Sequence, residues 1–195
     1  MRVARRESIL KDGRRLVIRS ADRVDALDMI DCLKQVATES TFLLSYPDEI
    51  TYTESEEISI IDRFLNAPTS AMLVAFVDNR LVAISSIMGQ SRRRKMCHRA
   101  ELGISVLRDY WGLGIGARIL ATLIEAAKNA GLEQIELGVF TGNKRALALY
   151  RKMGFVETGL VPQAAKLDDG TYYDEHRMVL MLDRAIEDVL INPEY

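Results

Sequence analysis

The chain has 195 residues, 48% of them hydrophobic and 28% charged, with a formal net charge of -2. This is the profile of one globular domain, and without a basic excess a nucleic acid is not an expected partner. Cys32 and Cys97 make no disulfide framework, and His98 and His176 are too far apart in the chain to suggest zinc, so no metal is expected.

Met1 to Leu10 is charged and lacks the apolar run of a secretory leader, and no apolar stretch approaches the ~20 residues of a membrane span. The expectation is a cytoplasmic chain with reduced thiols and no membrane partner. Leu16-Val17-Ile18 reads as a short strand after the Asp12-Gly13 turn. Asp22 can cap a helix whose apolar stripe is Val24, Leu27, Ile30, Leu33 and Ala37. Thr38 to Thr53, with Pro47 and no clear period, reads as a loop or broken helix. Thr53-Glu54-Ser55-Glu56 fits a capping box, with Ile58, Ile61 and Leu65 marking the helix that Pro68 closes.

Strands follow. Met72 to Val77 and Leu81 to Met88 are apolar runs joined by the turn residues Asp78-Asn79. The basic cluster Arg92-Arg93-Arg94-Lys95, read as a solvated hairpin tip, leads to a strand from about Met96 to Val106. A glycine-rich turn then opens a helix that carries Ile119, Leu120, Leu123, Ile124 and Ala127 inward and ends at Gly131. Ile135 to Phe140 is apolar enough for a central strand. A short helix over Lys144 to Lys152 stops at Gly154, and Phe155 to Val161 and Thr171 to Leu182 read as two final strands. Without a linker or repeat, one α+β domain over residues 1–195 is the economical account.

The turn Trp111-Gly112-Leu113-Gly114-Ile115-Gly116-Ala117 carries the chemistry. Its glycines remove the Cβ atoms that would hold a ligand off the backbone, and the first helical turn leaves amide N–H groups without partners. A diphosphate there gains charge-assisted hydrogen bonds of roughly 1.5–3 kcal/mol each, more than the ~0.3–1 kcal/mol of the helix dipole. Gly112-x-Gly114-x-x-Ala117 also fits the permissive dinucleotide fingerprint, with Glu133 or Glu136 as its acidic residue. A dinucleotide fold needs more βαβ units than the remaining chain supplies.

These residues resemble the GNAT superfamily of N-acetyltransferases. The family's phosphate loop, [Q/R]-x-x-G-x-[G/A], matches Trp111 to Gly116 everywhere but the first position, where tryptophan stands. Asn143-x-x-Ala146-x-x-x-Tyr150-x-x-x-Gly154-Phe155 resembles its second coenzyme segment, and Asp169-Gly170-x-Tyr172-x-Asp174-Glu175 with Met178 its closing hairpin. The likeness runs from about Leu16 to Leu182, leaving 183–195 as an extension. It implies a mixed, mostly antiparallel sheet flanked by helices, with a V-shaped split between two parallel strands. Acetyl-CoA would enter that split, its pantetheine arm against Ile104, Ser105 and Val106. Its phosphates would lie on Gly112, Leu113, Gly114, Ile115, Gly116 and Ala117, and Asn143, Ala146 and Tyr150 along the arm. Arg108, Arg118 or Lys152 would reach the outer phosphates.

Transfer to an amine requires a neutral nucleophile, and a lysine-like ammonium has a pKa of about 10.4. Glu101 is the candidate base, directly or through water, with backbone N–H groups near Val106 as oxyanion donors. Tyr150 resembles the family tyrosine that protonates the departing thiolate. Cys97 and Cys32 read as buried, inert thiols and His98 as a packing or surface residue. Asp48, Glu49, Glu54, Glu56 and Glu57 make the acceptor side acidic, favouring a cationic amine: a polyamine, an aminoglycoside-like molecule or a protein amino group. An acyl-CoA-binding domain without turnover is the alternative, and a homodimer is supported by general frequency alone.

Overall fold

The computed structural model describes residues 1–90 and 93–182. Ser91, Arg92 of the basic cluster and the extension 183–195 lie outside the described residues. The hairpin between β3 (Ala71–Val77) and β4 (Arg80–Gly89) turns on Asp78 and Asn79, whose φ values of 47° and 69° match a two-residue turn of the hand that strand twist favours. Leu73, Val74, Ala75, Val82 and Ala83 are fully buried, as strands covered on both faces require.

β2 (Arg15–Ser20) joins this hairpin on one side, and β5 (Arg99–Val106) on the other. An additional strand precedes them: β1 (Arg6–Ile9) pairs with β2 at the sheet edge. Its side chains are held by ions rather than by a core, with Arg15 donating to Glu7 at 2.6 Å and Arg6 to Glu125 at 2.7 Å. A charged edge strand carries no apolar signal, which is why the N-terminus does not read as one.

Helix α1 (Ala26–Glu39) buries Ala26, Met29, Ile30, Cys32 and Val36, so of the expected stripe Ile30 is buried and Leu33 packs against the core, but its first two members are not. Val24 and Leu27 are 84% and 55% exposed. The chain first makes a 3-10 turn over Arg23–Asp25, which shifts the helical phase. Helix α2 (Glu54–Asn66) starts on the expected box: Thr53 accepts from the Glu56 amide, and the Glu56 carboxylate accepts from the Thr53 amide at 2.7 Å. β5 begins at Arg99, so Met96–His98 lie in a turn and Cys97 is exposed rather than buried on a strand.

Helix α3 (Ile115–Asn129) crosses over to β6 (Gln134–Phe140), which lies parallel to β5, the one parallel pairing among the described strands. Helix α4 (Lys144–Lys152) follows, then β7 (Val156–Lys166) and β8 (Tyr172–Met181). The strand order is β1-β2-β3-β4-β5-β6-β8-β7, a mostly antiparallel mixed sheet. β7 runs on through Pro162, past the expected end at Val161, with irregular register between Val161 and Ala165. As an edge strand it tolerates a proline without losing a central hydrogen bond. No helix among the described residues is long and apolar enough to cross a membrane.

Candidate active site

β5 and β6 pair only at Arg99–Gln134, Ala100–Ile135 and Glu101–Glu136, then diverge. Beyond Glu101 both strands present unpaired inner edges. The Leu107 amide donates to Val82 on β4, and His98 accepts from the Glu133 and Gln134 amides on the β6 side. By alternation, Ile104 and Val106 turn their main chains into the split, while Ser105 turns its own to β4. Across the gap, Gly138 does the same from β6.

A cleft of about 1320 Å³ runs through this split and along both faces of the sheet. That exceeds the ~300–1,000 Å³ typical of one small ligand, leaving room for two substrates together. The expected cofactor residues line it except Leu113, which packs on the core, and Arg108 and Arg118 of the three cations offered for the outer phosphates.

At one end, Gly112 and Gly114 take φ values of 79° and 81°, which side chains avoid. Helix α3 begins immediately after, and Arg118 is the first residue whose amide bonds back, to the Gly114 carbonyl. The Ile115, Gly116 and Ala117 amides are therefore open donors, and nothing lies within 4 Å of where a Gly112 side chain would begin. Lys144, Arg145 and Lys152 line the same end, so its chemistry fits an extended anion such as the coenzyme's phosphates. Arg118 is spent differently: its guanidinium donates to the Leu113 and Ile9 carbonyls, each at 3.3 Å, bracing the loop against β1. Asn143 accepts from the Ala146 amide at 3.1 Å, capping α4 and leaving its side-chain N–H groups for a ligand.

Trp111 fills the position where the family pattern has Gln or Arg. Its indole N–H donates to the Val106 carbonyl at 2.7 Å, and Arg145 lies 4.5 Å from its ring centre. The loop is thus tied to the end of β5, and Val106 keeps only its N–H for a ligand. Trp111→Phe should cost about 1 kcal/mol, a melting temperature lower by about 2–4 °C in scanning calorimetry, through loss of that one donor. An unchanged melting temperature would show that the bond fixes nothing.

Glu101 is exposed in the cleft at the point where the strands part, opposite Met88 on β4. Its register partner Glu136 is occupied. Burial alone would raise that carboxyl, but Arg99, Gln90 and Gln134 bond to it and hold it below the ordinary range. Tyr150 is 6% exposed on α4, its ring 5.7 Å from that of Phe155, and burial pushes its phenol up to about 12. It is therefore a neutral donor at physiological pH.

Besides Glu101, the carboxylates of Glu57 on α2 and Glu175 on β8 line the cleft, and the sequence had not separated either from its acidic neighbours. Glu175 on β8 lies against Gly138 with one buried oxygen 2.9 Å from the Arg177 guanidinium, compensated by charge without an aligned hydrogen bond. Glu57, on α2, lines the cleft beside Tyr52, Met72 and Met88. Of the acidic residues expected on the acceptor side, Glu57 alone lines the cleft; Asp48, Glu49, Glu54 and Glu56 do not, and the loop after α1 contributes Phe42, Leu43, Leu44 and Ser45 instead. The Asp168 amide donates to the Tyr46 hydroxyl at 2.9 Å, and Tyr173 stacks between Phe42 and Phe140 at 5.7 and 5.4 Å.

A sheet opened between two parallel strands, with an anion cradle at its rim, is the architecture of acyl-CoA-dependent N-acyltransferases. A model of the Acetyltransferase (GNAT) family matches residues 36–155, and the chain belongs to that family. Membership makes it an N-acetyltransferase. An L-amino acid N-acetyltransferase of Escherichia coli is 32% identical over 118 residues, 60% of this chain and 72% of its own length. An L-methionine sulfoximine/L-methionine sulfone acetyltransferase of Pseudomonas aeruginosa is 34% identical over 83 residues, 43% of this chain and 48% of its own. The GNAT-family acetyltransferase from Streptococcus pneumoniae superposes with a TM-score of 0.82 at 29% identity, over 85% of this chain and 99% of its own. A Salmonella typhimurium acetyltransferase solved with acetyl-CoA shares the fold, at a TM-score of 0.76 and 20% identity over 87% and 95% of the two chains.

Proposed function

We propose that this chain transfers the acetyl group of acetyl-CoA to the primary amine of a small molecule, by direct attack within a ternary complex. The observation that carries the reading is the junction at Glu101. There an exposed carboxylate stands at the mouth of a split whose free main-chain groups and glycine loop suit one long, phosphate-bearing thioester. The thioester supplies an activated acetyl carbon, and the chain's residues do the rest. Glu101 takes the proton that the acceptor ammonium must lose, directly or through water. The Val106 N–H faces the split as a donor to the carbonyl oxygen. As the new C–N bond forms and the C–S bond breaks, Tyr150 gives its proton to the departing sulfur, and the second proton that the nitrogen loses on becoming an amide restores the phenol through water. The reading places the protein in the cytoplasm, where an exposed thiol such as Cys97 stays reduced.

Release of free CoA thiol across a panel of amines tests this. Binding of acetyl-CoA without release on any amine would leave a coenzyme-binding domain and remove the enzyme. Tyr150→Phe should lower kcat about 10–100-fold with the acetyl-CoA dissociation constant within about threefold of wild type, because the lost donor acts mainly on the developing thiolate. Since the buried phenol ionises only toward about 12, above its free value, its proton stays on through pH 9. Its contribution to stability is complete below the free tyrosine pKa of about 10 and is lost as pH rises beyond it.

A further inference from the structure

Helix α2 buries a charge on the face where Ile61, one turn on, is fully buried. Glu57 is 2% exposed, while Glu54 and Glu56 stay in solvent and Glu56 is consumed by the capping box. The Glu57 carboxylate makes no hydrogen bond or ion pair with any described residue, and burial raises it with no opposing charge to lower it. An apolar side chain there would serve the fold better. Glu57 nonetheless forms part of the cleft wall, together with Tyr52, Met72 and Met88.

The sheet register relates it to Glu101. Met88 lies opposite Glu101, Ser86 opposite Gly103, and Met72 opposite Ser86. On the face that α2 covers, the line from Glu101 to Met72 on β3 therefore crosses two strand spacings and two residues along the strand, roughly 12 Å between main chains, over methionine side chains. In this half of the cleft the lining cation is Arg177, and it is paired with Glu175. A substrate carboxylate finds no unpaired cation among the described residues lining this half, whereas a second ammonium finds a carboxylate waiting.

We infer that Glu57 is a specificity-determining residue that binds a second cationic group of the acceptor. The acceptor class is then a primary amine whose far end, beyond an apolar spacer, is another ammonium. The inference rests on the acetyl-transfer reading, in which Glu101 receives the reacting amine, and adds the partner for the other end.

Calorimetric binding of 1,5-diaminopentane and of pentylamine to the CoA-saturated protein tests it without turnover. Wild type should bind the diamine at least about tenfold tighter, and Glu57→Gln, which keeps the shape, should reduce that preference to about twofold or less. CoA affinity should be unchanged in the variant, and the melting temperature of the free protein should rise as the unpaired buried charge is removed. Equal affinities in wild type, or a preference that survives in Glu57→Gln, would overturn the role of Glu57. Acetyl transfer to pentylamine as efficient as to the diamine would also remove it while leaving the acetyl-transfer reading standing. Glu57-dependent diamine binding with no transfer to any amine would do the reverse.

Discussion

Gly116→Val is expected to weaken CoA binding about 10²–10⁴-fold in calorimetry, with the circular dichroism spectrum unchanged. Two charge-assisted hydrogen bonds lost at about 1.5–3 kcal/mol each account for that loss. Gly116 lies in the first turn of α3, where its amide and those of Ile115 and Ala117 are open donors. On helix propensity alone glycine is a poor choice there, worse than alanine by about 0.8–1 kcal/mol. The reason for it is proximity: a Cβ at this position would come within 3.0 Å of a Leu149 methyl on α4 and 3.8 Å of Ile104. A branched side chain therefore crowds α4 against β5 at the inner end of the split and screens the amides from a phosphate. A dissociation constant within about threefold of wild type would mean that the anion lies elsewhere.

Glu101→Gln should reduce kcat about 10²–10⁴-fold near neutral pH, with part of the activity returning as pH rises toward the pKa of the acceptor amine. Glutamine preserves the shape of a residue that stands exposed in the cleft and belongs to the last paired position before the strands diverge. Its cost falls on proton removal, and acetyl-CoA affinity should not change. The decisive measurement is the pH–rate profile of wild type and variant with one amine. Profiles that superimpose would return Glu101 to a merely structural part in the sheet.

Much of this was legible from spacing. The helix over Lys144–Lys152 has its expected limits, since a capping asparagine precedes it and a glycine at φ 91° closes it. The glycine loop, the Asp78-Asn79 turn and the Thr53 capping box are similarly local, each defined within a few residues. What escaped depends on partners distant in sequence. β1 is recognisable only through Glu7 meeting Arg15 and Arg6 meeting Glu125. The phase of α1 was set by a three-residue 3-10 turn whose Asp25 is pinned by Arg19 at 2.6 Å, a contact no periodicity reveals. Trp111 looked like a departure from the family pattern until the Val106 carbonyl appeared beside its indole. Glu57 was one of several acidic letters, and only burial separates it from Glu54 and Glu56.

The three residue pairs that join β5 to β6 leave the eight strands as two half-sheets with an unsewn seam. A ligand strand laid into that seam does more than occupy a site, because it supplies the missing rungs between Ile104 or Val106 on one margin and Gly138 on the other. On the proposed reading, substrate loading and completion of the sheet would be the same event. The spent thiol would then leave by breaking those rungs again, and product release would restore the seam to its open form.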